Sequence, residues 1–394
     1  MIRCSETVLR GHPDKFCDQI ADRIIHAAYQ VDPEAYGQVE VAAWSDWIWL
    51  NGGVATREPF EVDLEKLIAD LGIEIGYCKD NLRYGEKEEG CNHIDVKKYK
   101  LHDAVCRIRR DPREWTHHVN DQSIVIGWAG YDEKVRYLPP EHFLAHSLRE
   151  ALDASFEKGG LLKKQGPDGK LLVRIKENEN PGDKRRNTWE VEHVLVTVQQ
   201  RPEFEFGEIC ERLSLVVENA YRNLQEEDRR WRKDWVDVEL LINPNGPLLN
   251  GGSDGDNGQT GRKLAVDFYG PRVPIGGGAL SGKDLTHIDR AGAYAARKAC
   301  TDAVAAGAQE CLLTLAYAPG INEPLEVRWD IEGGTRPPCN NAEFAHDRIR
   351  ERSGADIASL LQAGRGNHFF DVVAGWNTPS SQRKPAAAAL SAPG

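Results

Sequence analysis

Apolar and polar residues alternate along this chain with two periods, one typical of helices and one typical of strands. After Pro13, which suits the first turn of a helix, apolar residues recur at helical spacing as far as Ala28. Similar patterns predict helices at residues 62–71, 140–152, 206–224 and 290–307. Strands are predicted at residues 39–50, 124–128, 171–175, 191–198, 236–242, 264–270, 312–317 and 325–331.

The predicted strand at residues 39–50 carries tryptophans on both of its faces. Trp44, Trp47 and Trp49 lie in it, and the glycine pair Gly52-Gly53 follows it. This pattern predicts a strand that is covered on both sides. The cover could be the protein's own core or the sheet of a partner subunit.

Two further segments lack a regular pattern. Residues 79–118 are polar and charged, and we interpret them as a lid or an insertion. The sequence from Thr378 onward is of low complexity, so residues 378–394 are predicted to be a disordered tail.

Composition narrows the class of protein. A chain of 394 residues exceeds one typical core, so we expect two or three domains. The net charge of -12 argues against a general nucleic-acid or membrane binder, because such proteins need a positive surface. The nine cysteines form no CxxC pair, which favours reduced thiols over disulfides or zinc. Since no signal region and no apolar run long enough to span a bilayer is found, we expect a cytoplasmic enzyme.

A glycine-rich segment from Gly251 to Asp289 carries the clearest candidate chemistry. Its charged residues include Asp254, Asp256, Arg262, Lys263, Lys283, Asp284 and Asp289. Glycines allow close approach of the backbone to a ligand, cations bind phosphate oxygens, and carboxylates bind divalent metals. The mixture therefore predicts a site for a polyphosphate with its metal ions. A true P-loop is not indicated, because Asp284 stands where that motif has its metal-binding Ser or Thr.

The start of the first predicted helix is a second candidate site. His12, Asp14 and Lys15 crowd the helix N-terminus, where the helix dipole favours an anion. In this interpretation His12 is a general acid or hydrogen-bond donor, Asp14 is a metal ligand and Lys15 is a cation for phosphate. The alternative is that Asp14 only caps the helix while His12 and Lys15 are solvated.

Five motifs, in order along the chain, resemble the S-adenosylmethionine synthetase (methionine adenosyltransferase) family. They are SETVLRGHPDKFCDQIAD (5–22), NDQSIVIGWA (120–129), PDGK (167–170), INPNGPLLNGGSDGDNGQTGRKLAVDFYG (242–270) and GGGALSGKDLTHIDRAGAYAAR (276–297). The resemblance implies an α+β fold of three similar α/β domains with pseudo-threefold symmetry. It also implies sheets packed at a dimer interface and active sites between subunits. The domains would span residues 1–110, 115–243 and 244–377. No internal repeat is readable in the sequence itself.

The resemblance also implies a reaction and a set of site residues. Methionine sulfur attacks C5′ of ATP, and the expelled triphosphate is hydrolysed to diphosphate and phosphate. The residues implied as catalytic are His12, Lys15, Lys170, Arg262, Lys263 and Lys283. Those implied to bind the nucleotide or shape its site are Asp121, Asp168, Asp256, Lys263 and Lys283. Asp14 and Asp289 would bind two Mg²⁺ ions in each site, and Glu40 would bind K⁺.

The implied partners are ATP, methionine or another small-molecule acceptor, and a second copy in a homodimer or a dimer of dimers. Without the resemblance, Asp168 in the PDG sequence is a common turn residue, and Lys170 could be a surface residue.

The chain departs from the family pattern on the acceptor side and on the adenine side. Val54 replaces a glutamate that takes part in holding methionine, and a valine cannot accept a hydrogen bond from an ammonium group. Residues 106–118 lack the lid motif with its methionine-contacting glutamine. Pro247-Leu248 replace an Arg-Phe pair whose ring lies against adenine, and His287 replaces a lysine. The family's C-terminal Gly-His-Phe-Gly-Arg element is missing near residues 372–376.

Three hypotheses therefore stay open. The first is an adenosyl-transferring enzyme that acts on methionine or on another acceptor, with Asp111 or Glu114 as a possible replacement carboxylate. The second is an ATP or tripolyphosphate hydrolase that has lost the transfer step. The third is a silent partner subunit of a true synthetase, which the retained charged residues of both candidate sites disfavour.

Overall fold

Strands and helices are spread over the whole described length of the chain. The computed structural model describes residues 1–77, 99–157, 159–334 and 340–382. Its strands are β1 (Ile2–Val8), β2 (Tyr36–Trp44), β3 (Trp47–Thr56), β4 (Lys100–Asp103), β5 (Cys106–Arg109), β6 (Ser123–Gly130), β7 (Gly169–Asn178), β8 (Thr188–Val198), β9 (Glu239–Ile242), β10 (Gly258–Gln259), β11 (Glu310–Tyr317) and β12 (Glu326–Glu332). Its helices are α1 (Pro13–Val31), α2 (Leu64–Ile75), α3 (Arg113–Thr116), α4 (Pro140–Ser155), α5 (Phe206–Glu227), α6 (Gly252–Gly255), α7 (Leu264–Asp267), α8 (Ile288–Ala305), α9 (His346–Ser353) and α10 (Leu360–Gln362).

The described strands form three sheets. The first has the strand order β1-β7-β8-β9, the second has the order β10-β2-β3-β4 with β5 also pairing with β3, and the third has the order β12-β11-β6. Most neighbours are antiparallel, whereas β4 and β5 run parallel to β3 and β9 runs parallel to β8. Side chains alternate between buried and half-buried along β11, so its sheet has one covered and one more open face.

A long helix packs on one face of each sheet. Helix α1 lies on β2 and β3, α4 lies on β1 and β7, and α8 lies on β6 and β11. Phe16 and Ile20 of α1 share one apolar core with Val41 and Leu50 of the sheet beneath, while the other two sheets share a larger core. Burial of an apolar helix face against a sheet is what holds each layer together. The α+β class is confirmed.

The three helices that lie on the sheets, α1, α4 and α8, begin in the same way, which reveals an internal repeat that the sequence does not show. The residue before each helix is extended: His12 has φ -58° and ψ 135°, Pro139 has φ -55° and ψ 130°, and His287 has φ -60° and ψ 128°. Two positions after each of these residues stands a carboxylate, namely Asp14, Glu141 and Asp289. The repeat agrees with three similar domains.

Each sheet contains a strand that is distant in sequence from its neighbours. Strand β1 pairs with β7, β6 pairs with β11, and β10 pairs with β2. The predicted segments 1–110, 115–243 and 244–377 therefore each give one strand to another segment's sheet, in a cycle. The domain boundaries therefore remain a prediction from the sequence, because the sheets contain strands from both sides of these boundaries.

Every predicted helix is confirmed within a few residues, but three strand predictions need correction. The single strand predicted at residues 39–50 is wrong, because the chain turns at Ser45, whose φ is 52°, and β2 and β3 form a hairpin. The strand predicted at 264–270 is wrong, because helix α7 begins there. The strand predicted at 236–242 begins only at Glu239, after a short 3₁₀ turn. Strand β1 is not predicted at all.

The predicted lid and tail are only partly described. Residues 79–98 lie outside the described residues, and the remainder of the predicted lid forms β4, β5 and α3. The first tail residues pack against α8, because the Ser380 N–H donates to Asp302 Oδ1 at 2.7 Å. Residues 383–394 lie outside the described part. Among the helices that are described, none is long and apolar enough to cross a membrane.

Candidate active site

The start of α1 carries a carboxylate surrounded by cations. Asp14 is only 1% exposed. It accepts hydrogen bonds from Lys263 Nζ at 2.5 Å and from the Gln259 N–H at 2.9 Å, and Arg262 Nε lies 3.6 Å away. Burial alone raises the pKa of Asp14, but these hydrogen bonds outweigh burial and hold the pKa below its usual range. We call His12, Asp14, Arg262 and Lys263 the Asp14 cluster.

His12 contributes a polar atom without a partner. Its Nδ1 accepts a hydrogen bond from the Asp14 N–H at 3.2 Å. Burial, and then the charge of Lys263, lowers the pKa of the ring to about 3, so His12 is neutral near pH 7. Because Nδ1 accepts, the neutral ring carries its proton on Nε2, and this buried atom has no hydrogen-bond partner among the described residues. An unsatisfied buried donor is costly, so it points to a ligand atom.

Three further predicted site residues lie near the Asp14 cluster. Asp168 accepts a hydrogen bond from the Gly252 N–H at 2.7 Å, and burial raises its pKa to about 6. Asp168 thus anchors the glycine-rich segment. Its role therefore goes beyond that of a common turn residue, which was the alternative interpretation. The charge of Lys170 lowers the pKa of His12, and the charge of Asp256 raises the pKa of Asp168. Lys170 therefore acts on the cluster directly, whereas Asp256 acts on Asp168.

A second cluster forms in the same way at the start of α8. Asp289 accepts hydrogen bonds from Lys283 Nζ at 2.6 Å and from Ser123 Oγ at 2.5 Å. Burial alone raises the pKa of Asp289, but Lys283 and Ser123 hold the pKa below its usual range. His287 Nδ1 accepts a hydrogen bond from the Asp289 N–H at 3.2 Å, and the charge of Asp121 acts on His287. We call Asp121, Ser123, Lys283, His287 and Asp289 the Asp289 cluster.

Lys15 lies beneath the site. Its side chain is fully buried and donates to Asp18 at 2.7 Å and to Asp267. This geometry does not support the prediction that Lys15 holds the triphosphate, because its charge is already paired with two carboxylates. The alternative in which His12 and Lys15 are solvated is wrong, since both are buried. The side chain that caps α1 is that of His12, not that of Asp14.

Known proteins share the order of these segments. The N-terminal domain of S-adenosylmethionine synthetase matches residues 1–96, its central domain matches residues 116–248, and its C-terminal domain matches residues 250–360. The chain belongs to the S-adenosylmethionine synthetase family. It is 33% identical over 351 residues to an S-adenosylmethionine synthase of Petrotoga mobilis, which covers 84% of this chain and 82% of that protein. It is 32% identical over 385 residues to an S-adenosylmethionine synthase of a Bradyrhizobium species (strain ORS 278), which covers 93% and 88%.

The position at which the resemblance leads us to expect a methionine-binding glutamate lies in the core. Val54 is fully buried and belongs to the apolar core beneath α1. The two carboxylates considered as replacements lie in surface ion pairs. Asp111 pairs with Arg113 at 2.5 Å, and Glu114 lies 3.7 Å from Arg110.

Glu40, the predicted K⁺ ligand, stands on the exposed face of β2 opposite Asn51. The neighbouring Val39 N–H donates to the Gly282 carbonyl at 2.7 Å. Glu40 is therefore one residue from the contact between β2 and the loop that carries Lys283.

Two of the other departures that the sequence predicts, at Leu248 and at residues 372–376, take part in backbone contacts and in packing. The Leu248 carbonyl accepts a hydrogen bond from the Gln200 N–H at 2.9 Å. Near the missing C-terminal element, Trp376 stacks on Tyr294 with ring centroids 3.9 Å apart and an interplanar angle of 4°.

Sequence reasoning missed several residues that support the site, namely Ser123, Asp18, Asp22, Asp267 and Arg290. One signal was available for two of them. Aspartates stand at every fourth position of α1, which places Asp14, Asp18 and Asp22 on one face of the helix.

Proposed function

We propose that this protein transfers the adenosyl group of ATP to the sulfur of methionine or of a related acceptor. The sulfur lone pair forms a bond to C5′, the bond between C5′ and oxygen breaks, and its electron pair leaves on the triphosphate. Water then cleaves the triphosphate to diphosphate and phosphate. The observation that carries the proposal is the Nε2–H of buried His12, which has no partner in the described part of the chain and lies among the cations of the Asp14 cluster. A neutral donor there suits the oxygen on which negative charge develops.

The cations of both clusters suit the leaving triphosphate. Lys263 and Lys283 are only 21% and 11% exposed, and each pairs with a carboxylate. Preorganised cations in a desolvated site stabilise developing negative charge without reorganisation of solvent. We propose that Arg262, Lys263 and Lys170 contact the phosphates next to His12 and that Lys283 contacts them from the Asp289 cluster. Lys15 acts on the site through Asp18.

The donor set fits Mg²⁺ ions that are shared between protein and substrate. Mg²⁺ is usually held by one or two carboxylates together with substrate phosphates and water. Among the described residues, no group of three His, Cys, Asp or Glu side chains could hold a metal alone. Asp14 and Asp289 nevertheless each offer one carboxylate beside a lysine, and we propose them as Mg²⁺ ligands, with Glu40 for K⁺. Mg²⁺ at such a site neutralises charge on phosphate oxygens.

A second copy of the chain completes the site in this proposal. The two clusters stand at the starts of different helices, and each has one carboxylate for a metal and its own cations. The outer face of β2 and β3 exposes Trp44 by 51% and Trp47 by 41%, which is typical of a surface for subunit contact. We propose a homodimer in which the Asp14 cluster of one copy faces the Asp289 cluster of the other.

A second candidate function is favoured by Val54. The carboxylate that holds the methionine ammonium group in this family is absent, and the side chain at this position is buried among apolar residues. An adenosyl transferase with a different acceptor, or a hydrolase of ATP or tripolyphosphate, needs no such carboxylate. A silent partner subunit has no use for the paired lysines and carboxylates of both clusters.

The test is incubation with ATP, Mg²⁺ and K⁺, with and without methionine, followed by separation of the nucleoside and phosphate products. A sulfonium product together with diphosphate and phosphate in equal amounts supports transfer to methionine. Cleavage of phosphates at the same rate with and without methionine, and no sulfonium product, supports the second candidate. No consumption of ATP under either condition would contradict transfer to methionine and hydrolysis of ATP. The same assay with a panel of thioethers and amines, and with tripolyphosphate in place of ATP, then tests the rest of the second candidate.

A further inference from the structure

Three aspartates on α1 each hold a different part of the phosphate-binding backbone. Asp14 Oδ1 accepts from the Gln259 N–H, Asp18 Oδ1 accepts from the Gly261 N–H and Asp22 Oδ1 accepts from the Gly282 N–H, each at 2.9 Å. A spacing of four residues is close to one helical turn, so these carboxylates follow one face of α1. Gly261 precedes Arg262 and Lys263, and Gly282 precedes Lys283.

We infer that Asp18 and Asp22 are positioning residues that fix the two cation-bearing loops to a single helix. The inference rests on the proposed function. Neither carboxylate touches the substrate in this inference; each acts through the loop that it holds.

The conformation of the two loops explains why such anchors are needed. Gly261 has φ 76° and Gly282 has φ 78°, in the left-handed region that favours glycine. A Cβ at Gly282 would lie 2.1 Å from the Val39 carbonyl oxygen, so no side chain fits there. The loops therefore have no side chain of their own at these points, and hydrogen bonds to their N–H groups fix them instead.

Buried cations balance the two anchoring carboxylates. Lys15 donates to Asp18, while Arg290 donates to Asp22 at 2.7 Å and 3.1 Å. Arg290 also donates to the Lys283 carbonyl at 2.8 Å, so it holds the same loop from the other side. A buried charge is tolerated only when it is paired and hydrogen-bonded. We therefore assign to Lys15 the role of holding the Asp18 side chain in place.

The experiment uses Asp18→Asn and Asp22→Asn, together with the triple variant Lys15→Met/Asp18→Asn/Asp267→Asn, which removes the buried lysine and both carboxylates that it pairs with. For each variant we would measure thermal unfolding, kcat and KM for ATP, and the Kd of tripolyphosphate with Mg²⁺ by calorimetry. Misplacement of a catalytic group by about 1 Å costs on the order of 100-fold, so we expect kcat to fall roughly 10- to 100-fold in folded protein. The triple variant leaves no unpaired charge of this group in the core, so it regains stability but not kcat.

Asp32→Asn is the matched control. Asp32 is also a buried carboxylate and directly follows the last residue of α1. It also accepts a backbone N–H, and it also pairs with a guanidinium, that of Arg57. It lies at the far end of the helix from both loops, so its variant loses stability while kcat is unchanged.

Wild-type kcat and tripolyphosphate affinity in a folded Asp18 or Asp22 variant would overturn the inference. A triple variant that regains both stability and kcat would overturn it as well, because only charge balance would then matter. If the wild-type protein neither consumes ATP nor binds tripolyphosphate, the proposed function itself fails. The two failures are therefore distinguishable.

Discussion

At the level of single residues, the site is built from carboxylates that each form an ion pair with a neighbouring lysine. Asp14 pairs with Lys263, and Asp289 pairs with Lys283. Each pair is largely desolvated, which strengthens its electrostatic interaction with an incoming phosphate or metal. The histidine caps place each aspartate at the positive end of a helix, where negative charge is favoured.

Lys283→Ala and Asp289→Ala should each abolish triphosphate release while the fold is retained. Removal of one charge from a desolvated cluster typically costs ~2–4 kcal/mol of transition-state stabilisation. Release of phosphate and diphosphate measures the effect, and circular dichroism checks the fold. Lys184→Ala is the control, because Lys184 pairs with Glu310 and Glu332 outside both clusters. Normal turnover in both site variants would contradict the assignment.

The residue at position 54 leads to a prediction about the acceptor. If methionine binding depends on a carboxylate that holds the ammonium group, its loss weakens binding by roughly 1.5–3 kcal/mol, or about ten- to hundredfold. Methionine should therefore be a poor substrate, because Val54 is buried and both Asp111 and Glu114 lie in surface ion pairs. Steady-state kinetics with methionine and a panel of thioethers and amines measures this. Saturation by methionine at low micromolar concentration with ordinary turnover would show a plain synthetase with an unusual pocket.

At the level of elements, α1 is fixed at both ends. Asp32 follows its last turn and accepts hydrogen bonds from the Arg57 N–H at 2.9 Å and from Arg57 Nε at 2.8 Å. The hydrogen bonds from Arg57 hold the pKa of Asp32 well below its usual range. A depressed carboxyl pKa stabilises the folded protein above the unfolded pKa of about 4, and this contribution is lost as the pH falls towards the folded pKa.

Asp32→Asn should lower the free energy of unfolding at neutral pH by about 1.5–3 kcal/mol, the usual worth of a hydrogen bond to a charged group. The difference from wild type should shrink as the pH falls below about 4. Chemical denaturation between about pH 7 and pH 3 measures both effects. Asp70→Asn is the control, because Asp70 forms an exposed ion pair with Lys66 that is expected to contribute less than about 1 kcal/mol. A constant difference at all pH values would contradict the linkage.

The sequence predicted helices better than strands, for physical reasons that differ between elements. The apolar residues of α1 recur at helical spacing within one continuous segment, so the sequence alone indicates this helix. Strand β1 is seven residues long and pairs with β7, a partner far away in the sequence, so nothing local marks it. The turn of the hairpin, Ser45-Asp46, contains neither glycine nor proline, and the apolar run across it is typical of one strand.

The sequence predicted those residues of the site that stand in local motifs. Asp14, Lys263, Lys283 and Asp289 stand in motifs, and the structure pairs them in two clusters. The burial of Lys15 could not be read, because its partner Asp267 lies in a segment that was predicted to be a strand. Long-range pairing of charges leaves no local pattern.

At the level of the whole molecule, the cyclic exchange of β1, β6 and β10 ties the three sheets into one unit. Loops that follow or precede these strands carry site residues: His12 comes after β1, Asp121 comes before β6, and Arg262 comes after β10. Strand exchange therefore brings distant segments to the helix starts. It does not bring the Asp14 and Asp289 clusters into direct hydrogen-bond contact, which is the reason for proposing sites between two copies.

The last prediction concerns these shared sites. If each site combines Lys263 of one copy with Lys283 of the other, a mixture of Lys263→Ala and Lys283→Ala proteins should regain activity. A mixed dimer then contains one doubly altered site and one intact site. Half of the dimers are mixed after random exchange, so recovery should approach roughly a quarter of wild-type turnover.

The mixture is refolded together or exchanged to equilibrium, and light scattering follows the dimer while product release follows activity. A mixture of Arg262→Ala and Lys263→Ala is the control. Both changes lie in the Asp14 cluster, so every site receives one defect and no activity returns. Trp44→Glu, on the exposed face of β2, should give an inactive monomer, because it adds a charge where the second copy packs. No recovery in the first mixture, or an active monomer, would contradict sites that are shared between copies.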